Sequence, residues 1–209
     1  VFVGNLVFMR FLGDDGVGAF GISCYYTPFF FSVGNSIAQS AQPIISYNYG
    51  LERWDNIARI RRMLLTTSFT VGAVVSLLFV FVPEWLVGLF VDVDSMAGVI
   101  AIEGFPYYAL GIIFFILNVA IIGYYQSIER VGRAMFITAL RGMIFIVPAF
   151  LLLPSMLGVR GIWLAMPVAE VSRAVGWKSS SHFIKEFRDR FGMTPRNYAR
   201  ARCPISTQI

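Results

Sequence analysis

Apolar residues fill most of the chain in long runs, and polar residues interrupt these runs at only a few places. The runs at 17–49, 63–82, 99–125 and 134–153 are each at least as long as the roughly 20 residues that a helix needs to cross a lipid bilayer. A shorter apolar run at 1–12 precedes them, and another begins at Gly161 and stops at Ser172. The pattern predicts an all-α membrane protein with four full transmembrane helices between two truncated ones.

Composition supports a membrane protein and narrows the chemistry. The 209 residues are 57% hydrophobic and only 14% charged, which is far from the composition of an ordinary soluble domain. Cys24 and Cys203 are far apart in the sequence and His182 is the only histidine, so we expect neither a disulfide scaffold nor a metal site. No hydrolytic motif, phosphate-binding loop or nucleotide fingerprint occurs, and we therefore expect no enzyme and no organic cofactor.

One group of polar residues lies inside the first long apolar run. An amide in hydrocarbon costs several kcal/mol unless it finds a partner, so these residues are expected to meet other helices or water. Two interpretations stay open: hydrogen bonds between packed helices, and the lining of a polar cavity. The residues recur at steps of three and four, which places them on one helix face: Ser32, Asn35, Gln39, Gln42 and Ser46.

Three further polar residues interrupt the later spans: Glu103, Asn118 and Arg141. A charge near mid-membrane is costly and almost always faces the bundle interior or a polar cavity. At about 1.5 Å per residue, Arg141 has about the same depth as Gln39 and Gln42, so we predict that one of these glutamines or backbone carbonyls hold it. Glu103 is either a proton or cation site reached from outside or a carboxylate near the headgroups. Asn118 is a candidate for the same pathway.

Charge divides the chain into two parts and orients it. Residues 1–170 carry a net charge of −1 and residues 171–209 a net charge of +6, which predicts a membrane domain at 1–170 and a separate basic tail at 171–209. Arginine concentrates in loops on the cytoplasmic side of membranes. We therefore expect a multi-pass protein of the inner (plasma) membrane with a cytoplasmic tail. The arginines on the predicted cytoplasmic side are Arg53, Arg59, Arg61, Arg62, Arg130 and Arg133.

Several separate motifs resemble one membrane protein family. The stretches AQPIISYNYG at 41–50, GYYQSIERVGRA at 123–134 and GVRGIWLAMPVAE at 158–170 occur in the order seen in the second half of a multidrug and toxic compound extrusion (MATE) transporter. The resemblance covers roughly residues 1–170. It implies a twelve-helix fold of two lobes around a central cavity, and export of organic cations or amphipathic drugs in exchange for Na⁺ or H⁺.

By this resemblance the chain supplies one partial lobe, and its partner is the missing first lobe, which in many members carries the ion-coupling carboxylates. The lobe comprises the end of helix seven, helices eight to eleven and the start of helix twelve. The polar face then becomes a cavity wall, and the complete chain is expected not to transport alone. The predicted cavity, substrate or ion-pathway residues are Asn35, Gln39, Gln42, Glu103, Asn118 and Arg141.

The tail resembles a different family. Phenylalanines at spacing four mark an amphipathic helix from Ser180 to Phe191, and FGMTPRNY follows at 191–198, as in the last helix-turn-helix of an AraC-type transcription regulator. The resemblance covers about 168–203 and implies one of the two motifs of that domain, with weak, salt-sensitive DNA binding. A basic tail lying on anionic lipid is the simpler interpretation. The implied DNA-contacting residues are Ser180, Ser181, Ile184, Lys185, Arg188 and Arg196.

Two functional classes therefore remain. The first is a fragment of a secondary multidrug exporter, and the alternative is a membrane-tethered DNA-binding regulator. The two resemblances overlap at 167–171, so a non-functional chimera of two partial genes is a third hypothesis.

Overall fold

The computed structural model describes residues 2–129, 132 and 146–171, and within these ranges the regular structure is entirely helical. The chain divides into two units, Val1–Arg173 and Ala174–Ile209, and all the described residues lie in the first unit. The all-α prediction is thereby confirmed. The helices are α1 Phe2–Gly50, α2 Trp54–Phe81, α3 Pro83–Gly88, α4 Met96–Ser127, α5 Ile146–Leu157 and α6, described at 159–171.

Helix α1 is broken near its start by one glycine. Gly13 has φ 68° and ψ −156°, a backbone conformation that is essentially restricted to glycine. The sequence predicts an acidic turn over residues 13–16, but the break is confined to Gly13. Asp14 and Asp15 are already helical, and both side chains are exposed on that helix.

Two of the helices, α2 and α4, are long and apolar enough to cross a membrane. Both extend beyond the apolar runs that predicted them, since polar residues at the ends continue the helix: α2 begins at Trp54 and α4 ends at Ser127. The end of the apolar run at 153 predicts a turn over residues 154–161. The chain turns inside that range, at Gly158, which has φ 60°, while Pro154 still belongs to α5.

Helix α4 is the centre of the described bundle and packs against α1, α2, α3 and α6. Its close approach to α1 depends on Gly34, where a Cβ atom would lie 2.9 Å from Cβ of Val119. Toward α2, the Ser76 hydroxyl donates a 2.7 Å hydrogen bond to the carbonyl oxygen of Ala109. Small residues and a buried hydroxyl thus join helices in an apolar medium, as is usual in membrane bundles.

Aromatic rings fill the core between these helices and anchor α6 there. Phe8 stacks on Phe20 with ring centroids 4.7 Å apart, and Trp163 of α6 meets Phe8 edge-on at 5.0 Å. Trp163 also packs edge-on against Phe105 of α4. Because Trp163 is only 3% exposed, the start of α6 belongs to the helical bundle.

Candidate functional site

Several polar residues of α1 lie outside the buried side of the helix that packs on α4, although one of them, Ser46, reaches the end of α4. The buried side carries Phe30, Gly34, Ala38 and Ile45 at steps of three to four, and this side packs on α4. We use the name polar stripe for a row of polar residues beside and opposite this buried side: Ser32, Asn35, Ser36, Gln39, Gln42 and Ser46. All of these are exposed except Asn35, which is half-buried.

The middle of the polar stripe is not used to join helices within the described part of the lobe. No hydrogen bond from the side chains of Ser32, Gln39 or Gln42 to another described residue is present. Ser46, nearer the helix end, donates a 3.0 Å hydrogen bond to the carbonyl oxygen of Ser127. Among the described residues, interhelical hydrogen bonding therefore involves the end of the stripe and not its centre.

A second polar group lies inside the bundle, where α4 meets α6. Asn118 and Glu170 are each 1% exposed. The Asn118 side-chain nitrogen donates to Oε2 of Glu170 at 2.8 Å and to the backbone oxygen of the same residue at 3.0 Å. One amide therefore holds both the carboxylate and the backbone of Glu170, which fixes the register of α6 against α4.

Local sequence explains how these two side chains meet. Asn118 is a single amide within the apolar helix α4, and Glu170 follows the apolar residues of α6. The helices approach closely at Gly111, where an added Cβ atom would lie 3.1 Å from Cα of Pro167. Among the described residues Glu170 is the only charged side chain that is buried. Sequence reasoning missed it as a site residue, although one acidic residue ending an apolar run was an available signal.

The remaining predicted site residues are placed apart from this pair or lie outside the described residues. Glu103 is exposed on α4, and at about 1.5 Å per residue it lies about 22 Å along the helix from Asn118. The structure therefore does not bring Glu103 and Asn118 together. Arg141 falls outside the described residues, and its predicted contact with Gln39 or Gln42 stays a prediction. The DNA-contact candidates also lie outside them: Ser180, Ser181, Ile184, Lys185, Arg188 and Arg196.

The hairpin between α1 and α2 is held by two asparagines near the arginine-rich loop. Asn56 donates a 3.0 Å hydrogen bond to the side-chain oxygen of Asn48, and Asn48 donates to the carbonyl oxygen of Ile44 at 2.9 Å. The arginines that follow are all exposed: Arg53, Arg59, Arg61 and Arg62. This end of the bundle therefore presents positive charge without internal ion pairs among the described residues.

The interior of the lobe contains a crevice lined by six residues of α1, α4 and α6. It is too narrow for a water molecule and is almost entirely apolar, so it is unsuited to a drug-sized cation. The described residues also contain no cluster of His, Cys, Asp and Glu that could hold a metal ion. This crevice is therefore unsuited to be a solute path.

Comparison with protein families gives two matches along the chain. A family model described as MatE matches residues 1–151, and one described as a helix-turn-helix domain matches residues 162–201. The second match begins inside α6, whose residues Ile162, Trp163 and Ala169 are buried in the bundle. A comparison with the curated proteins gives no match.

Solved structures share the fold. A multidrug resistance MATE family transporter of the MOP superfamily in an outward-facing conformation superposes with a TM-score of 0.79 at 16% identity, over 90% of this chain and 43% of that chain. A MATE protein in complex with MaL6 gives 0.77 at 17% identity, over 90% and 43%. A MOP superfamily transporter from Pyrococcus furiosus gives 0.79 at 15% identity, over 90% and 42%. The chain thus spans less than half the length of each of these transporters.

Proposed function

Because the chain belongs to the MATE family, we propose that it supplies one lobe of a membrane exporter of organic cations or amphipathic drugs, driven by exchange for Na⁺ or H⁺. The observation that carries the proposal is the polar stripe: an uncharged, largely exposed polar surface on one helix of an otherwise apolar bundle. Such a surface is costly against lipid but suits a water-filled path for a polar solute. Neutral Ser and Gln side chains also leave an organic cation without electrostatic repulsion.

The proposal assigns the stripe residues Asn35, Gln39 and Gln42 to one wall of the substrate path. A single copy supplies only this wall of the substrate path. In this proposal a second lobe supplies the opposite wall. The predicted pathway residues Glu103 and Arg141 remain part of the proposal. We expect a single copy alone not to transport.

The buried carboxylate of Glu170 is the proposed site for the coupling ion. An ionisable residue inside a membrane bundle is by default a candidate for an ion or proton pathway. Asn118 fixes the position of the carboxylate through the 2.8 Å hydrogen bond. In this proposal Asn118 is a positioning residue and Glu170 the residue that exchanges the cation.

The experiment reconstitutes the chain in liposomes together with the separately expressed first lobe of a MATE transporter. A Na⁺ or H⁺ gradient is imposed, and uptake of a fluorescent organic cation is followed. Gradient-driven uptake is expected with wild type and with the control Glu84→Gln, whose carboxylate is exposed on α3. Glu170→Gln is expected to abolish it, and vesicles with at most one copy of the chain and no first lobe should show none. Uptake that is the same with and without a Na⁺ or H⁺ gradient in every preparation would overturn the proposal.

A second candidate function is favoured by the match of residues 162–201 to a helix-turn-helix domain. In this alternative the chain is a membrane-tethered DNA-binding regulator whose basic tail lies in the cytoplasm. Residues 162–171 of that match already pack in the bundle, which leaves a shortened motif for DNA. Binding is therefore expected to be weak and to fall steeply with salt. Specific, salt-resistant binding by the full chain in detergent would favour the regulator over the exporter.

A further inference from the structure

The outer face of α2 combines exposed apolar side chains with two arginines. Met63, Val74 and Leu77 are 62%, 55% and 52% exposed, and their spacing places them opposite the side of α2 that packs on the bundle. Arg59 and Arg62 are exposed and continue the same face, at steps of three and four, toward the start of the helix. One face of α2 therefore changes from apolar to cationic along its length. The buried side includes Ile57, Leu64, Ser68, Gly72 and Phe79.

Two threonines on the outer face have their hydroxyl groups bonded within the helix. Thr66 Oγ1 donates to the carbonyl oxygen of Arg62 or of Met63, each at 3.0 Å. Thr70 Oγ1 donates to the carbonyl oxygen of Thr66 at 2.9 Å. Because both hydroxyls are bonded inside α2, neither needs a partner outside it. The face from Met63 to Leu77 is therefore suited to contact acyl chains.

The two arginines lie at the depth of lipid headgroups. The apolar run at 63–82 has about the length of the hydrocarbon core of a bilayer. At about 1.5 Å per residue, Arg62 lies about 1.5 Å and Arg59 about 6 Å outside Met63. The headgroup layer on each side of the core is about 5–7 Å thick, so it includes both arginines.

Neither arginine is paired within the part of the chain that the structure describes. No ion pair or hydrogen bond joins the side chain of Arg59 or Arg62 to another described residue, although Asp55 lies one turn from Arg59 on the same face. Asp55 is about 12 Å outside Met63, which is beyond the headgroup layer. A guanidinium group presents several N–H donors in one plane and binds phosphate oxygens in pairs. Two such groups on one face are therefore free for a phosphate.

We propose that this face of α2 binds an anionic phospholipid, such as phosphatidylglycerol. Arg59 and Arg62 hold its phosphate, and its acyl chains lie along the face from Met63 to Val74. The helix rises about 16 Å over that distance, and one leaflet of the hydrocarbon core is about 15 Å thick. A zwitterionic lipid carries a positive group that two arginines repel, so a headgroup of net negative charge is favoured. The site lies on the membrane-facing surface, and it does not depend on whether the chain transports a solute.

The test is native mass spectrometry of the full chain in a neutral detergent with added phosphatidylglycerol or phosphatidylcholine. Wild type is expected to retain phosphatidylglycerol several-fold more than phosphatidylcholine, and the double variant Arg59→Gln/Arg62→Gln is expected to lose this preference. The matched control, Arg53→Gln/Arg61→Gln, removes the same charge from the same hairpin and should keep the preference. Arg53 lies about 15 Å outside Met63, and Arg61 lies on the side of α2 that is buried further along the helix.

Three results would overturn the lipid site. Equal loss in the two double variants would show a general attraction to positive charge, and equal retention of both lipids by wild type would show that headgroup charge has no effect. Displacement of the lipid by millimolar inorganic phosphate would identify a site for a soluble anion instead.

Melting temperatures in nanodiscs give a second measurement on the same variants. Phosphatidylglycerol added to phosphatidylcholine nanodiscs should raise the melting temperature of wild type and of the control, but not that of Arg59→Gln/Arg62→Gln. The same rise in all three proteins would contradict the proposed site. The transport proposal fails separately, since absence of gradient-driven uptake would leave the lipid site standing.

Discussion

The contact between Asn118 and Glu170 makes a quantitative prediction about the bundle. The perturbation is a double-mutant cycle of Asn118→Ala and Glu170→Ala. Asn118 donates two hydrogen bonds to Glu170, one to its carboxylate and one to its backbone oxygen. Replacing the side chain of Glu170 leaves the backbone bond in place, so the coupling energy of the cycle reports the 2.8 Å side-chain bond alone.

The expected magnitude follows from the surroundings of the pair. A hydrogen bond to a charged group contributes about 1.5–3 kcal/mol in soluble proteins. Side-chain hydrogen bonds in a membrane bundle average about 0.6 kcal/mol and reach about 1.7, because the unfolded chain in the membrane also finds partners. Both side chains here are 1% exposed and the bond between them is 2.8 Å long. We therefore expect a coupling of about 1–1.7 kcal/mol, near the upper end of the membrane range.

The assay is unfolding in mixed micelles with increasing sodium dodecyl sulfate, followed by tryptophan fluorescence. A control cycle combines Glu170→Ala with Ser68→Ala, since Ser68 bonds within its own helix α2 and should be additive with Glu170. A coupling below about 0.3 kcal/mol for Asn118 and Glu170 would refute the reasoning, because it is the size expected of independent sites.

Three further predictions concern packing, orientation and the tail. Gly34→Leu should lower the free energy of unfolding by about 1–3 kcal/mol or more, since the added Cβ atom would meet Val119. Gly21→Leu is the control and should be tolerated, because nothing lies within 4 Å of a Cβ atom at that position. Melting temperatures in detergent measure both effects. A reporter fused after Ile209 should be active as green fluorescent protein and inactive as alkaline phosphatase, as a cytoplasmic tail requires; the opposite pattern would contradict the arginine argument. DNA binding by the full chain should be weak at low salt and lost near physiological salt, and Lys185→Ala should weaken it for all sequences alike; filter binding over a salt series measures it.

The spans could be predicted from the sequence because the bilayer imposes a length and an apolar composition on each helix. The apolar runs located α2 and α4 correctly but not their ends. The mainly polar segment from Trp54 onward is already part of α2, and α4 continues past Tyr125 to Ser127. The step of three to four between polar residues of α1 also predicted one shared face. Ser32, Gln39 and Gln42 of that face are exposed, whereas Asn35 is half-buried and Ser46 bonds to the end of α4.

The contacts between distant segments could not be predicted. Asn118 and Glu170 are separated by 52 positions, and their hydrogen bonds depend on the packing of α6 against α4. A rise of about 1.5 Å per residue predicts only how deep a residue lies in the membrane. Depth therefore suggests a contact between Gln39 and Arg141, but it does not predict which helix lies beside Asn118. Glu170 also lies in the stretch where the two family resemblances overlap, so its sequence context fits either family.

The proposed transport requires above all that the polar stripe be a water-accessible path. The decisive measurement is the reaction of Gln39→Cys with a membrane-impermeant, positively charged thiol reagent in nanodiscs, in the background without Cys24 and Cys203. The control is Phe69→Cys, whose parent side chain is 54% exposed on the apolar surface of α2. Gln39→Cys is expected to be modified rapidly, and an organic cation is expected to slow this modification. Phe69→Cys is expected to react little. Equal, slow reaction at both positions would show that the stripe faces lipid and would contradict the central claim.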